Sequence, residues 1–162
     1  MFEICDTFKY HLDQLEMDHH KFTIKEISYL RQMLLKYYDK KKRDLPWRRL
    51  ATTTSDVNER IYNVWVSEIM LQQTQVATVI DYYNKWIRKW PTIKDLSEAT
   101  VEEVNEMWSG LGYYSRGRRL LEGAQKVMKT FQGEMPKTSA SLMKEIPGVG
   151  KYTAGMAENY NL

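Results

Sequence analysis

The sequence of 162 residues holds one cysteine, Cys5, so it can close no internal disulfide and offers no thiol pair at metal-ligand spacing. Histidine is nearly as scarce. There are three, and two of them, His19 and His20, are adjacent, so on a helix their side chains diverge and are read as surface groups rather than ligands. No resident metal is expected from the residues present. No apolar run reaches the roughly 20 residues that a membrane-spanning helix needs, and the opening residues, with Glu3 and Asp6, lack the Arg-rich, acid-poor character of an import peptide. A membrane partner is therefore not expected. Internal repeats and low-complexity tracts are also missing. Charge of either sign is barely in excess, at +3 net, which permits a nucleic-acid partner without demanding one. What the chain does have is 43% hydrophobic residues, enough for one core.

The apolar spacing is helical almost throughout, which predicts an all-α fold. Residues 1–22 read as a poorly defined tail in which Phe8, Leu12 and Leu15 hint at a stripe, and residues 23–162 as one partial domain. Thr23 and Glu26 form a capping-box pattern ahead of Ile27, Leu30, Leu34 and Tyr37. The basic run from Lys40 to Arg43 leads to a Leu45-Pro46-Trp47-Arg48 turn, and the Thr-rich stretch from Leu50 to Asn58 reads as surface loop. Asp56, three residues before Glu59, signals the start of the next helix. Thr74 is a candidate cap for a further helix running to Pro91, Thr92 opens a short helix to Glu98, and Thr100 with Glu103 gives a second capping box. A long helix carrying Leu120 to Phe131 ends at Gly133 and Pro136, and Thr138 or Ser139 caps the last short one before Ile146.

One stretch departs from plain scaffold. In Ser67-Glu68-Ile69-Met70-Leu71-Gln72-Gln73-Thr74-Gln75 a carboxylate stands in line with Ile61, Val64, Trp65 and Leu71 on a helix that is apolar all round. Burial makes an ionised carboxylate costly, so the pKa of Glu68 should rise, as suits a general acid. The same spacing allows Glu68 to be merely paired to an Arg or to cap a neighbouring helix. A second stretch, Gly110 to Arg119, interleaves Tyr113 and Tyr114 with Arg116, Arg118 and Arg119. Flat rings beside phosphate-binding arginines suit an unstacked nucleic-acid strand, and they equally suit a helix-helix turn whose tyrosines pack inward. A third, Ile146-Pro147-Gly148-Val149-Gly150-Lys151-Tyr152-Thr153-Ala154, strips a turn of side chains, so that N–H groups at the next helix can face a phosphate. Alone, such a turn often marks only a tight bend.

Taken together, the strings SEIMLQQTQV, LPWR, GLGYYSRGRR and IPGVGKYTA resemble, in unbroken order from Leu45 to about Gly155, MutY-type adenine DNA glycosylases of the helix-hairpin-helix base-excision superfamily. The resemblance implies base-excision repair of double-stranded DNA in which adenine lies opposite 8-oxoguanine or guanine. Glu68 would be the acid that protonates the departing base, with Tyr152 in support of the sugar cation. Trp47, Arg48 and Leu71 would border the base pocket. Gln72, Gln73 and Tyr113 would form the wedge that enters the DNA stack. Gly148, Val149, Gly150, Lys151 and Thr153, in a hairpin spanning 146–154, would take the DNA phosphate. Strand-cleaving relatives carry a lysine where this chain has Tyr152, so a monofunctional glycosylase is implied. A monomer acting in the nucleus, or in the mitochondrion, follows from the same resemblance.

The match fades upstream of Leu45 and breaks after Gly155, so the chain reads as a C-terminally truncated member. The residues that would supply a catalytic Asp, the four cysteines of a [4Fe-4S] cluster and an 8-oxoguanine-recognition domain do not follow, so no cofactor is expected in this chain. An incomplete fold with weak or absent base release is then the expectation, since an electrostatic group of that kind is typically worth about a hundredfold or more in rate. A non-catalytic DNA-binding fragment or decoy of such a glycosylase is the alternative.

Overall fold

Thr23 closes the capping box that the sequence announces. Its N–H donates to Glu26 Oε2 at 2.8 Å while its hydroxyl accepts from the Glu26 N–H at 3.3 Å. Helix α1, Ile24–Lys41, starts there, and none of its residues is buried. This computed structural model describes residues 21–159, so the readings made of Cys5, Phe8, Leu12, Leu15, His19 and His20 lie outside the described residues. The chain divides into two units, the first ending at Arg43 and containing α1, the second beginning at Asp44. All the regular elements among the described residues are helices.

The second unit opens with α2, Pro46–Thr53, and here the expectation of a turn followed by a surface loop is corrected. Leu45 to Arg48 is the start of a helix, and Leu50 to Thr53 continues it, with Ala51 buried. Pro46 occupies the first turn, where its fixed φ is favourable and its missing N–H costs nothing. Thr52 and Thr53 are accommodated because their hydroxyls donate back to the carbonyls of Arg48 and Arg49. Helix α3, Val57–Leu71, begins at Asp56, whose side chain accepts from the Glu59 N–H at 2.9 Å. Every residue from Ile61 to Ser67 is buried, as are Ile69 and Met70. Such all-round burial follows from packing on α2, on α4 (Val76–Lys89), on α7 (Ser115–Phe131) and on α9 (Lys151–Asn159).

Helices α5, Ile93–Ser97, and α6, Val101–Trp108, each begin in a capping box: the one expected of Thr100 and Glu103, and a further one in which Thr92 pairs with Asp95. The α4 cap is different. Gln75 stands at the N-cap, and the Thr74 hydroxyl instead donates to the Gln72 carbonyl and accepts from Arg116. Thr138 caps α8, Ser139–Glu145. Aromatic edges knit the core: Trp86 meets Trp90 at 4.7 Å and Trp108 at 5.5 Å, and the Tyr62 hydroxyl donates to the Trp90 carbonyl at 2.8 Å.

Candidate functional site

Glu68 is half-buried on α3, between a fully buried Ser67 and a fully buried Ile69. Burial pushes its pKa above the ordinary value of 4.5, and the Arg48 charge, carried by α2, pulls the other way. The burial effect is the larger, so the acid remains protonated to higher pH than a surface carboxylate. Trp47, next to Arg48, is buried edge-on against Tyr83 with centroids 5.3 Å apart. The packing of α2 on α3 thus delivers Arg48 to the acid, which a turn without a helix would not fix. Leu71, the last residue of α3, is partly exposed.

Two loops carry the residues expected to form a wedge. After α3, Gln72 is partly buried, and Gln73 is exposed with a left-handed φ of 55°. Between α6 and α7, Tyr113 is 66% exposed with a φ of 49°. A left-handed backbone is uncommon for residues other than glycine, so both tips are held against their own preference. The second loop is anchored from three sides: Tyr82 donates to the Ser109 carbonyl at 2.8 Å, Trp108 Nε1 donates to the Gly112 carbonyl at 2.9 Å, and Arg116 reaches Leu111 and Gly112.

Arg116 is the residue whose place the sequence reading misjudged. Grouped with Arg118 and Arg119 as a phosphate contact, it is 4% exposed and directs both of its Nη atoms to carbonyls of the two loops, its Nε being buried without a partner. A signal for this exists in the sequence, since Arg116 lies at helical spacing with Leu120, Ala124 and Val127 and so shares their buried stripe. Arg118 and Arg119 are exposed.

The hairpin joins α8 to α9. Ile146 and Val149 are buried beneath it, Thr153 is buried, and Lys151 and Tyr152 are exposed, Tyr152 at 73%. The Ala154 N–H bonds the Gly150 carbonyl at 2.9 Å, so by helix geometry the N–H groups of Lys151, Tyr152 and Thr153 have no partner inside α9. Gly148 takes a φ of 78°, and a Cβ there would lie 2.8 Å from Arg119 Cδ. Packing of α9 on α3 sets this hairpin against the helix that bears Glu68. No hydrogen bond links Tyr152 with Glu68.

Among the described residues no group of His, Cys, Asp and Glu is placed to hold a metal ion. With one cysteine in the whole sequence, the residues present do not fit a cluster held by four thiolates.

The family model for HhH-GPD superfamily base excision DNA repair proteins matches residues 66–161. The chain is 59% identical over 132 residues to an adenine DNA glycosylase of Homo sapiens, an alignment covering 82% of this chain and 24% of that protein. It is 57% identical over 138 residues to the adenine DNA glycosylase of Mus musculus, covering 85% and 27%. It thus spans about a quarter of the length of these relatives. Among solved structures, a thermostable thymine-DNA glycosylase matches with a TM-score of 0.68 at 24% identity, covering 83% of this chain and 58% of that one. A non-covalent endonuclease III-DNA complex matches with a TM-score of 0.63 at 19% identity, covering 86% and 60%. These two likenesses establish the fold.

Proposed function

The chain belongs to the HhH-GPD superfamily of base excision DNA repair proteins, and from that membership we propose that its site performs adenine DNA glycosylase chemistry on duplex DNA with adenine opposite 8-oxoguanine or guanine. The observation that carries the reading is Glu68: a carboxyl group with a raised pKa, half-buried in an apolar helix and facing a single opposing charge, Arg48. In the proposed reaction the adenine leaves the stack and enters the space bordered by Trp47, Arg48 and Leu71. Glu68 gives its proton to a ring nitrogen of the base. The N-glycosidic bond breaks with its electron pair going to the base, and the carboxylate left behind offers an anion to the cationic sugar. Water adds to the sugar carbon and its proton returns to Glu68. Tyr152 presents its ring from the adjoining helix in support of the sugar cation, and no amine stands at that position to form a Schiff base.

Gln72, Gln73 and Tyr113 are proposed to enter the stack as the base leaves, and Gly148, Val149, Gly150, Lys151 and Thr153 to hold a phosphate through N–H groups and the Lys151 charge. The described helices include none long and apolar enough to cross a membrane. From the family membership we also propose that the protein acts as a monomer in the nucleus, or in the mitochondrion. The test is a single-turnover assay on a duplex bearing adenine opposite 8-oxoguanine, with alkaline cleavage to reveal abasic sites. Adenine release that an A·T duplex does not show supports the reading. Binding without release from either duplex overturns it in favour of a DNA-binding role.

The hairpin gives a separate expectation. Gly148→Ala should weaken duplex binding about tenfold, because the left-handed backbone and the Arg119 stem both oppose a Cβ, a strain on the order of 1–3 kcal/mol. The salt dependence of binding, measured by fluorescence anisotropy, should keep its slope, since no cation is removed. Unchanged affinity in the variant would remove the hairpin from the DNA contact.

A further inference from the structure

We infer that Arg116 is a positioning residue that fixes the spacing between the Gln73 and Tyr113 tips, and that entry of the two tips into a duplex depends on it. The inference rests on the glycosylase reading given above. The guanidinium sits at the start of α7, behind both loops. Its Nη1 donates to the carbonyls of Ile69 at 3.3 Å, Met70 at 3.1 Å and Gln72, and to the Thr74 hydroxyl at 3.2 Å. Its Nη2 donates to the same hydroxyl at 3.2 Å and to the carbonyls of Leu111 at 3.1 Å and Gly112 at 3.2 Å. One nitrogen thus serves the α3 end and the loop after it, and the other reaches across to the loop before α7.

Three physical points separate this arrangement from an ordinary core contact. Ile69 and Met70 lie in the last turn of α3, where carbonyls carry partial negative charge; that of Ile69 also accepts the Gln72 N–H at 3.4 Å, and the cation completes the helix end. No carboxylate forms an ion pair with Arg116 among the described residues, so these carbonyls and the Thr74 hydroxyl are the groups that answer its charge. The guanidinium also lies 5.5 Å from the centroid of the Trp108 ring and 5.6 Å from that of Tyr113, within cation–π range of the exposed tyrosine. Both tips hold left-handed backbones that relax unless held, and the same cation holds the residues flanking both. A planar fork spans two loops; an ammonium, as a point charge, can satisfy one.

The experiment compares the full chain with Arg116→Lys, Thr74→Val and Thr74→Ser. A duplex carries 2-aminopurine beside the adenine·8-oxoguanine pair, so that unstacking raises its fluorescence, and binding is followed separately by anisotropy on a plain duplex. Arg116→Lys should bind the plain duplex within about threefold of wild type yet lose the fluorescence rise by about tenfold or more, as a misplaced contact costs far more than its own bond. Hydrogen exchange should quicken in residues 72–74 and 111–113 together and not at the hairpin. Thr74→Val, which keeps the cation and the side-chain shape, should show a smaller loss that Thr74→Ser restores. A fluorescence rise equal to wild type in Arg116→Lys and Thr74→Val overturns the inference and leaves the glycosylase reading standing. No rise in wild type overturns the glycosylase reading, and the inference falls with it.

Discussion

Replacing Glu68 by Gln is expected to slow adenine release by about 10²–10⁴-fold, the range that a positioned general acid contributes. The amide keeps the shape of the side chain and removes the proton to be donated. The pH dependence tests the same assignment. Burial raises the Glu68 pKa and Arg48 only partly offsets it, so the acid form persists above the ordinary carboxylate value of 4.5. Release by wild type should therefore fall as pH rises through the raised value, and Glu68→Gln should lack that descending limb. Stability follows with a definite sign. Because the folded pKa lies above the unfolded one, ionising Glu68 destabilises the fold; this penalty is absent below about pH 4.5 and complete above the raised folded value. Wild type should lose stability with rising pH across that window, while Glu68→Gln should not. A single-turnover pH profile and thermal melts of both proteins would check this. A descending limb common to both would assign the proton to another group.

The second large effect is expected at the crossing of α3 and α7. Gly123 sits in the interior of α7, and helix propensity alone says that Ala there should gain about 1 kcal/mol. The packing says the opposite. A Cβ on Gly123 would stand 2.6 Å from Cη2 and 2.7 Å from Cζ2 of Trp65, and 3.3 Å from Ile146 Cγ2. Trp65 is 1% exposed, so its ring can shift only by displacing packed neighbours. Overpacking of this kind costs about 1–3 kcal/mol, so Gly123→Ala should destabilise the second unit, and Gly123→Val should do so more strongly. Trp65 and Glu68 lie one turn apart on α3, so any shift of the tryptophan is transmitted to the carboxyl group, and release should fall with stability. Trp65→Phe shrinks the ring, and its Nε1, buried without a partner, forfeits no hydrogen bond. The double variant Gly123→Ala, Trp65→Phe should thus be more stable than the sum of its parts. Denaturant melts decide the point: a Gly123→Ala protein more stable than wild type would show that propensity outweighs the crossing.

The helical order was legible because helix signals are local. Two capping boxes, at Thr23 and Thr100, are read from fixed spacing in the sequence and stand in the structure. Thr74 failed as a cap for a reason that spacing cannot express: its hydroxyl has a stronger claimant in the Arg116 guanidinium, 42 residues away in sequence. The α2 helix was missed because a Leu-Pro-Trp string signals a turn, and the two threonines that follow are tolerated only by bonding back to carbonyls of the preceding turn.

By itself the sequence determined that the chain is helical, that Glu68 lies on an apolar face, and that four ordered motifs resemble one repair family. These depend on residue identity and on periods of three and four. Only the tertiary structure decided that Arg48 opposes the rise in the Glu68 pKa, that Gly123 is the space for Trp65, and that Arg116 serves two loops from within. Each of these depends on the distance between groups far apart in the chain, which burial and helix crossing set and local pattern cannot encode.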